Sequence, residues 1–330
     1  LKTLFVGDVH ATTSDLEDCV KLVDLIEETL RCNKVDYLVF LGDQTHNHAI
    51  VNINVLDFWK GALTRLRPLV LKETIVLVGN HDLPGNTGDY SINSMSVFDG
   101  LARIVTDPQI IEGVLYLGYQ YSNEEFVAIC NEYSHLDTVV CHATFQGAQY
   151  ENGMYCSDGI EISVLPKNQT YISGHIHTPS EFGPVIYIGA PRWRSVSDAP
   201  VLERNLRLAE TGNVREYKNI PTSSHVKKVV VLDVTPDNCQ SFLTNAEPAN
   251  KDVYHYNLIG PQMWIDEVMA LFRQKGMVKT VSTDSRPVEV RESEGIDKAL
   301  ERFVDSAVIK TPKETIKRMV EERIWKRGPP

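Results

Sequence analysis

Short apolar runs alternate with amphipathic stretches through the first part of the chain. TLFVG, DYLVFLG and TIVLVGN read as strands: each is nearly continuous in apolar residues and stops at Gly followed by Asp or Asn. Between them, Thr13 to Leu30 repeats apolar residues at helical spacing, with Leu16, Val20, Val23, Ile26 and Leu30 on one side, and Val51 to Leu66 reads as a second helix. Strand–helix–strand alternation with all-apolar strands predicts an α/β fold whose sheet is covered on both faces. From Ile104 to Gly118 the pattern turns strand-like, Glu124 to Tyr133 is helical, and LDTVVCHAT, QTYISGHIH and PVIYIGAPRW are further strands. A second sheet packed on the first is therefore expected. Periodicity fades near residues 195–225, then VKKVVVLDV and KDVYHYNLI resume as strands before a helix at Met263 to Arg273. The final helix carries Thr311 as N-cap, Pro312 at its first position and Glu314 to complete a capping box. The expected division is a catalytic domain over residues 1–200, a linker over 201–224, a smaller C-terminal α+β domain over 225–290, and terminal helices over 291–330.

Composition narrows the class. The 330 residues are 42% hydrophobic and 23% charged, enough for a substantial core, and no apolar run reaches the roughly 18 residues of a membrane span. The start, LKTLFVGD, reads as a strand and not as a signal peptide. Six cysteines lie far apart with no CxxC pair, which predicts free thiols and a cytoplasmic setting. The formal charge of −11 argues against a general nucleic-acid binder. It is uneven, however: between Ala190 and Lys228, Arg192, Arg194, Arg204, Arg207, Arg215, Lys218, Lys227 and Lys228 outnumber Asp198, Glu203, Glu210 and Glu216. Arg192 and Arg194 are the candidates for contact with a polyanion.

Five short segments end apolar strands: GDVH (Asp8, His10), GDQTH (Asp43, His46), GNHD (Asn80, His81, Asp82), CHATFQGA (His142) and GHIH (His175, His177). Singly, each is a common turn or a solvated histidine. Together, Asp8, His10, Asp43, Asn80, His142, His175 and His177 make a nitrogen–oxygen donor set suited to two ions of Mn, Fe or Zn. Side chains at i and i+2 of an extended chain point the same way, which predicts that Asp8 with His10, and His175 with His177, converge on one ion. Asp43, from the strand between the other ligand strands, is the expected bridge. Two cations roughly 3.5–4 Å apart would acidify a shared water and neutralise phosphoryl oxygens.

The ordered set GDxH, GD, GNHD, H and GHxH, over about residues 1–190, resembles the calcineurin-like metallophosphoesterases. The resemblance implies a core of two packed mixed sheets flanked by helices, with one ion held by Asp8, His10, Asp43 and His177 and the other by Asp43, Asn80, His142 and His175. His81 would be the acid facing the leaving-group oxygen, oriented by Asp82. GNHD in place of GNHE, no Arg soon after Asp43, a His three residues after Asp43, HATFQGA, and IYIGAPRW instead resemble the SbcD-type nuclease subunits of double-strand-break repair, although the usual GS or GSP is GAP here. By that resemblance His46 acts near the scissile phosphate of DNA, the metal is manganese, an SbcC-type ATPase is the partner, and a homodimer forms near the second and third motifs. His48 has no counterpart and reads as a solvated residue. The alternative is a nucleotide or small-molecule phosphodiesterase with the same dinuclear site, which the negative charge favours.

Overall fold

The computed structural model describes residues 1–85, 89–210, 213–244 and 252–284. The terminal helices expected over 291–330, including the capping box at Thr311, lie outside these residues. The chain divides into two compact units, the larger of which contains both large sheets. The first half-sheet is built in the expected order, from β1 (Lys2–Val6), α1 (Leu16–Asn33), β2 (Tyr37–Phe40), α2 (Ile53–Leu66), β3 (Glu73–Leu77) and β4 (Arg103–Val105). Here β1 to β4 run parallel.

The second sheet uses β5 (Gln109–Ile111), β6 (Val114–Leu117), β7 (Thr138–His142), β8 (Thr170–Gly174), β9 (Ser180–Phe182) and β10 (Val185–Tyr187), in the order β5-β6-β7-β8-β10-β9. Its four central strands are parallel and its two edges antiparallel. A helix α3 (Asn123–Glu132) connects β6 and β7, capped by Ser122, whose hydroxyl accepts from the Glu125 N–H.

Period-2 alternation assigns the layers. Leu4, Val6, Leu38 and Phe40 face α1 and α2 in one core. Their neighbours Phe5, Tyr37, Val39 and Leu41 face the second sheet, meeting Tyr116, Val140 and Ile172 in the inter-sheet core. Leu115, Leu117, Val139 and Tyr171 cover the far face together with Phe126 and Cys130 of α3. The result is helices, sheet, sheet and helix.

One expected boundary is corrected. Residues 201–224 are no linker: β11 (Asn205–Glu210) and β12 (Asn213–Pro221) complete the first sheet, β12-β11-β1-β2-β3-β4, with β11 antiparallel to β1. The six cysteines are free, and all but Cys32 are buried. A third sheet, β13 (Val229–Val234), β14 (Val253–Gly260) and β15 (Met277–Ser282), is accompanied by α4 (Cys239–Thr244) and α5 (Gln262–Arg273). Among the described residues no helix is long and apolar enough to cross a membrane.

Candidate metal centre

The carboxyl ends of β1, β2, β3, β7 and β8 all deliver polar side chains to one place. His10 Nε2 lies 2.9 Å from His177 Nε2 and 3.4 Å from Asp43 Oδ2. His177 Nε2 is 3.8 Å from Asp8 Oδ2. On the other side of Asp43, His142 Nε2 is 3.5 Å from the same Oδ2 and 3.0 Å from Asn80 Oδ1, which also lies 2.8 Å from His175 Nδ1. Ligand atoms of Asp8, His10 and His177 fall within 4.8 Å of one another, as do those of Asp43, His142 and His175. All seven donors are thus brought together, in two groups that adjoin at Asp43.

Asp8 and His10 fall in one group, as the i, i+2 spacing predicts, but His175 and His177 fall in different groups, and the backbone at these positions is not extended strand. His10 (φ 48°), Asp43 (φ 54°) and His175 (φ 79°) adopt left-handed backbone angles just past their strands. Such angles cost a non-glycine residue of order 1–3 kcal/mol and persist where surroundings over-determine them. Here the His10 carbonyl accepts from Arg192 at 2.9 Å, and its amide donates to the Asp43 carbonyl. The preceding glycines allow close approach. A Cβ on Gly79 would stand 2.2 Å from Asp43 Oδ1, and one on Gly174 would stand 2.6 Å from Asp8 Oδ1.

The donors suit divalent ions. Asp8 Oδ1 and His10 Nδ1 are buried without a hydrogen-bond partner. Two imidazole nitrogens 2.9 Å apart need a proton or a cation between their lone pairs. Burial holds His10 well below its usual range and, with the His142 charge, pushes His175 down to about 3, so both are neutral and able to donate a lone pair at neutral pH. Burial raises Asp8 to about 6. Burial also pushes His142 down, but the Asp43 carboxylate more than reverses this and lifts it to about 9, while burial would raise Asp43 and the imidazoles of His142 and His10 hold it well below its usual value. His142 Nδ1 faces the Leu41 carbonyl at 2.7 Å, leaving Nε2 for the centre.

The non-ligand candidates sit differently. His81 Nδ1 is 2.6 Å from the His46 carbonyl, and its backbone N–H donates to Asp43 Oδ1 at 2.8 Å. Ring nitrogens of His10, His46 and His81 lie within 4.8 Å of one another. Burial, reinforced by the Arg194 cation, lowers His46 to about 4. Asp82 does not orient His81, contrary to expectation. Its carboxylate accepts from the N–H groups of Gly79, Gln44 and Thr45 at 3.1, 3.3 and 3.0 Å and from the Thr45 hydroxyl. It pins the loop that carries Asp43 and His46, and burial followed by the Asp43 charge raises it to about 6.

Arg192 is also corrected as a polyanion contact. It is 1% exposed, and its guanidinium donates to the carbonyls of Val9 and His10 and to Asp15. Arg194 is half-buried, with Nε unpartnered. Two further residues border the centre, His48, read from the sequence as solvated, and Glu151, which the sequence reading did not single out. His48 is exposed, yet its ring stacks on His81 at 4.2 Å. Glu151 Oε1 lies 3.0 Å from His177 Nδ1. Neither stands in a strand-end motif, so no spacing signal marks them.

The family model for calcineurin-like phosphoesterases matches residues 1–179. A protein of Invertebrate iridescent virus 3, provisionally named phosphoesterase 078R, is 30% identical over 108 residues, which is 32% of this chain and 30% of that protein. The match therefore spans under a third of the viral relative. Yfce, a phosphoesterase from E. coli, superposes with a TM-score of 0.32 and 13% identity over 68% of this chain and 95% of its own, too loosely to bear on fold or activity.

Proposed function

The chain belongs to the calcineurin-like phosphoesterase family, and from that premise we propose that it hydrolyses phosphodiester bonds in DNA as a manganese-dependent nuclease of the SbcD kind. Asp8, His10, Asp43 and His177 would hold one cation, and Asp43, Asn80, His142 and His175 the other. Bound there, the cations supply Lewis acidity, making water a competent nucleophile near neutral pH and screening the phosphoryl oxygens. The remaining steps belong to the protein. His81 keeps its Nδ1 proton on the His46 carbonyl, which leaves Nε2 to carry a proton to the leaving-group oxygen. Asp82 fixes the Gln44–Thr45 backbone, and with it the reach of His46 to the substrate phosphate.

The observation that carries this reading is the pair of non-ligand imidazoles, His46 and His81, grouped with His10 beside the ligand set. Two such groups provide one proton donor and one substrate contact. Metal-supplemented protein should degrade linear duplex DNA. His46→Ala should depress that degradation by about 10²-fold or more while two metal ions stay bound, and loss of metal would make His46 a ligand instead.

A second reading, a nucleotide or small-molecule phosphodiesterase, is favoured by one specific observation. Of the basic residues between Ala190 and Lys228, Arg192, Arg204 and Arg207 are 5% exposed or less, so they add nothing to a DNA-binding surface. Hydrolysis confined to bis-p-nitrophenyl phosphate or cyclic nucleotides would select it.

A further inference from the structure

His177 has one ring nitrogen on each side of a boundary. Nε2 faces His10 and Asp8 inside the centre, and Nδ1 faces outward, 3.0 Å from Glu151 Oε1 in an ion-pair contact; that buried oxygen accepts no hydrogen bond in this structure. Glu151 comes from the long connection between β7 and β8, at the tip of a tight turn. That turn is closed by the Tyr150 N–H on the Met154 carbonyl and the Gly153 N–H on the Tyr150 carbonyl, both at 2.9 Å. Below it, Cys156 and Ala148 pair at 2.8 Å. The carboxylate is therefore presented by a built turn and not by a free loop.

The backbone of His177 is fixed independently. Its carbonyl accepts from Arg204 at 2.6 Å and from the Ala190 N–H at 3.1 Å. Arg204 is itself fully buried and paired with Asp198 at 2.5 Å. With the backbone held, rotation and tautomer of the ring are the freedoms left. Asp198, the other carboxylate close to His177, cannot set them. Its oxygens are taken by Arg204 and by the N–H groups of Arg194 and Ser195, each at 2.9 Å.

We propose that Glu151 is a positioning residue of the metal centre: its carboxylate, at ion-pair distance from Nδ1 of His177, favours the tautomer with the proton there and so presents the Nε2 lone pair to the ion shared with Asp8 and His10. The inference rests on the metal-dependent reading above and deepens it. A carboxylate behind a ligating imidazole fixes its tautomer and raises its basicity, and removing such a partner typically costs about 10–100-fold in metal affinity. Only one of the two ions should feel this, because His142 is held instead by the Leu41 carbonyl.

The test is a manganese titration of metal-free protein by calorimetry, comparing wild type, Glu151→Gln and Glu151→Ala. Glu151→Ala should weaken one binding step about 10–100-fold and leave the other unchanged, with Glu151→Gln intermediate because its neutral amide oxygen can accept from Nδ1. The melting temperature of the metal-free variants should match wild type. Nitrogen-15 shifts of His177 at alkaline pH should report an Nδ1–H tautomer in wild type and a mixture in Glu151→Ala. Unchanged affinities, or a uniform fall of both steps together with the metal-free melting temperature, would overturn the inference. Wild-type protein that binds two ions but hydrolyses no phosphodiester would end the proposed activity alone. Wild type that binds no metal would end both.

Discussion

His142 joins the centre at a cost that can be measured. Asp43 keeps its imidazole protonated up to about 9 against the effect of burial, and an ion bound at Nε2 must displace that proton. The sign follows from linkage. At pH 7 to 8 metal uptake should release the His142 proton, and affinity should rise with pH until about 9. Below about 6 the decline should steepen, because Asp8, raised to that value by burial, then also carries a proton the ion must displace. Calorimetry in buffers of different ionisation enthalpy reads the released proton directly, and a proton-neutral uptake at pH 7 would remove His142 from the ligand set. The thiols provide an independent check on burial. Burial pushes Cys19 and Cys130 up to about 12, so Cys32, the exposed one of six, should be the one that a thiol reagent labels in the folded protein. The candidate donors were legible one by one in the sequence because GD, GN and GH stops after apolar runs are local signals. How His10 reaches its neighbours was not, since a left-handed angle held by Arg192, 182 residues away, leaves no mark in a window of ten residues. Asp82 was misread for the same reason: its partners Gln44 and Thr45 lie nearly forty positions upstream.

Elements place these residues through their ends. Gly79 closes β3 against Asp43, where an added methyl would stand 2.2 Å from Oδ1 and 2.3 Å from the amide nitrogen. Gly79→Ala should therefore displace the shared carboxylate, and both metal stoichiometry and hydrolysis should drop, whereas Gly61→Ala on α2, which meets nothing within 4 Å, should leave both intact. Helix α1 shows how far periodicity carries. Leu22, Val23, Ile26 and Leu30 are buried, and Leu22→Ala should cost about 2–5 kcal/mol in urea unfolding through the cavity it leaves. Val20, expected on the same face, is 42% exposed. The helix starts at Leu16 because the Asp15 carboxylate accepts from the Thr12 N–H in a turn before it, so the expected start at Thr13 was early. The central strands of the larger sheets were legible from their apolar runs, unlike the short edge strand β9. Those at Asn205–Glu210 and Asn213–Pro221 were not: β12 alternates around charged and polar residues with most side chains exposed, which reads as a linker until β11 is seen to pair with β1.

For the molecule as a whole, the centre concentrates Asp8, Asp43 and Asp82 at 2% exposure or less, in a chain whose formal charge is −11. Like charges this deeply buried repel, and divalent ions relieve them. Metal binding should therefore raise folding stability by about 2.7 kcal/mol when free metal exceeds its dissociation constant a hundredfold. Thermal unfolding with and without a chelator measures the difference, and coincident curves would count against a structural contribution from the ions. The same economy of charge governs the arginines: Arg192 and Arg204 spend their guanidinium groups on carbonyls of His10 and His177, and with Arg207 they are the three buried members of the eight basic residues between Ala190 and Lys228.

The pairing of Leu4 with Leu208 and of Phe5 with Arg207 has a practical outcome for anyone trimming this protein. The family match stops at residue 179, yet a fragment cut there would strip β1 of its antiparallel neighbour. The strand leading into Asp8 would become a bare sheet margin, with its amide groups open to pairing with another copy. Such a fragment should self-associate even with every donor present, and the shortest well-behaved version should extend past Pro221.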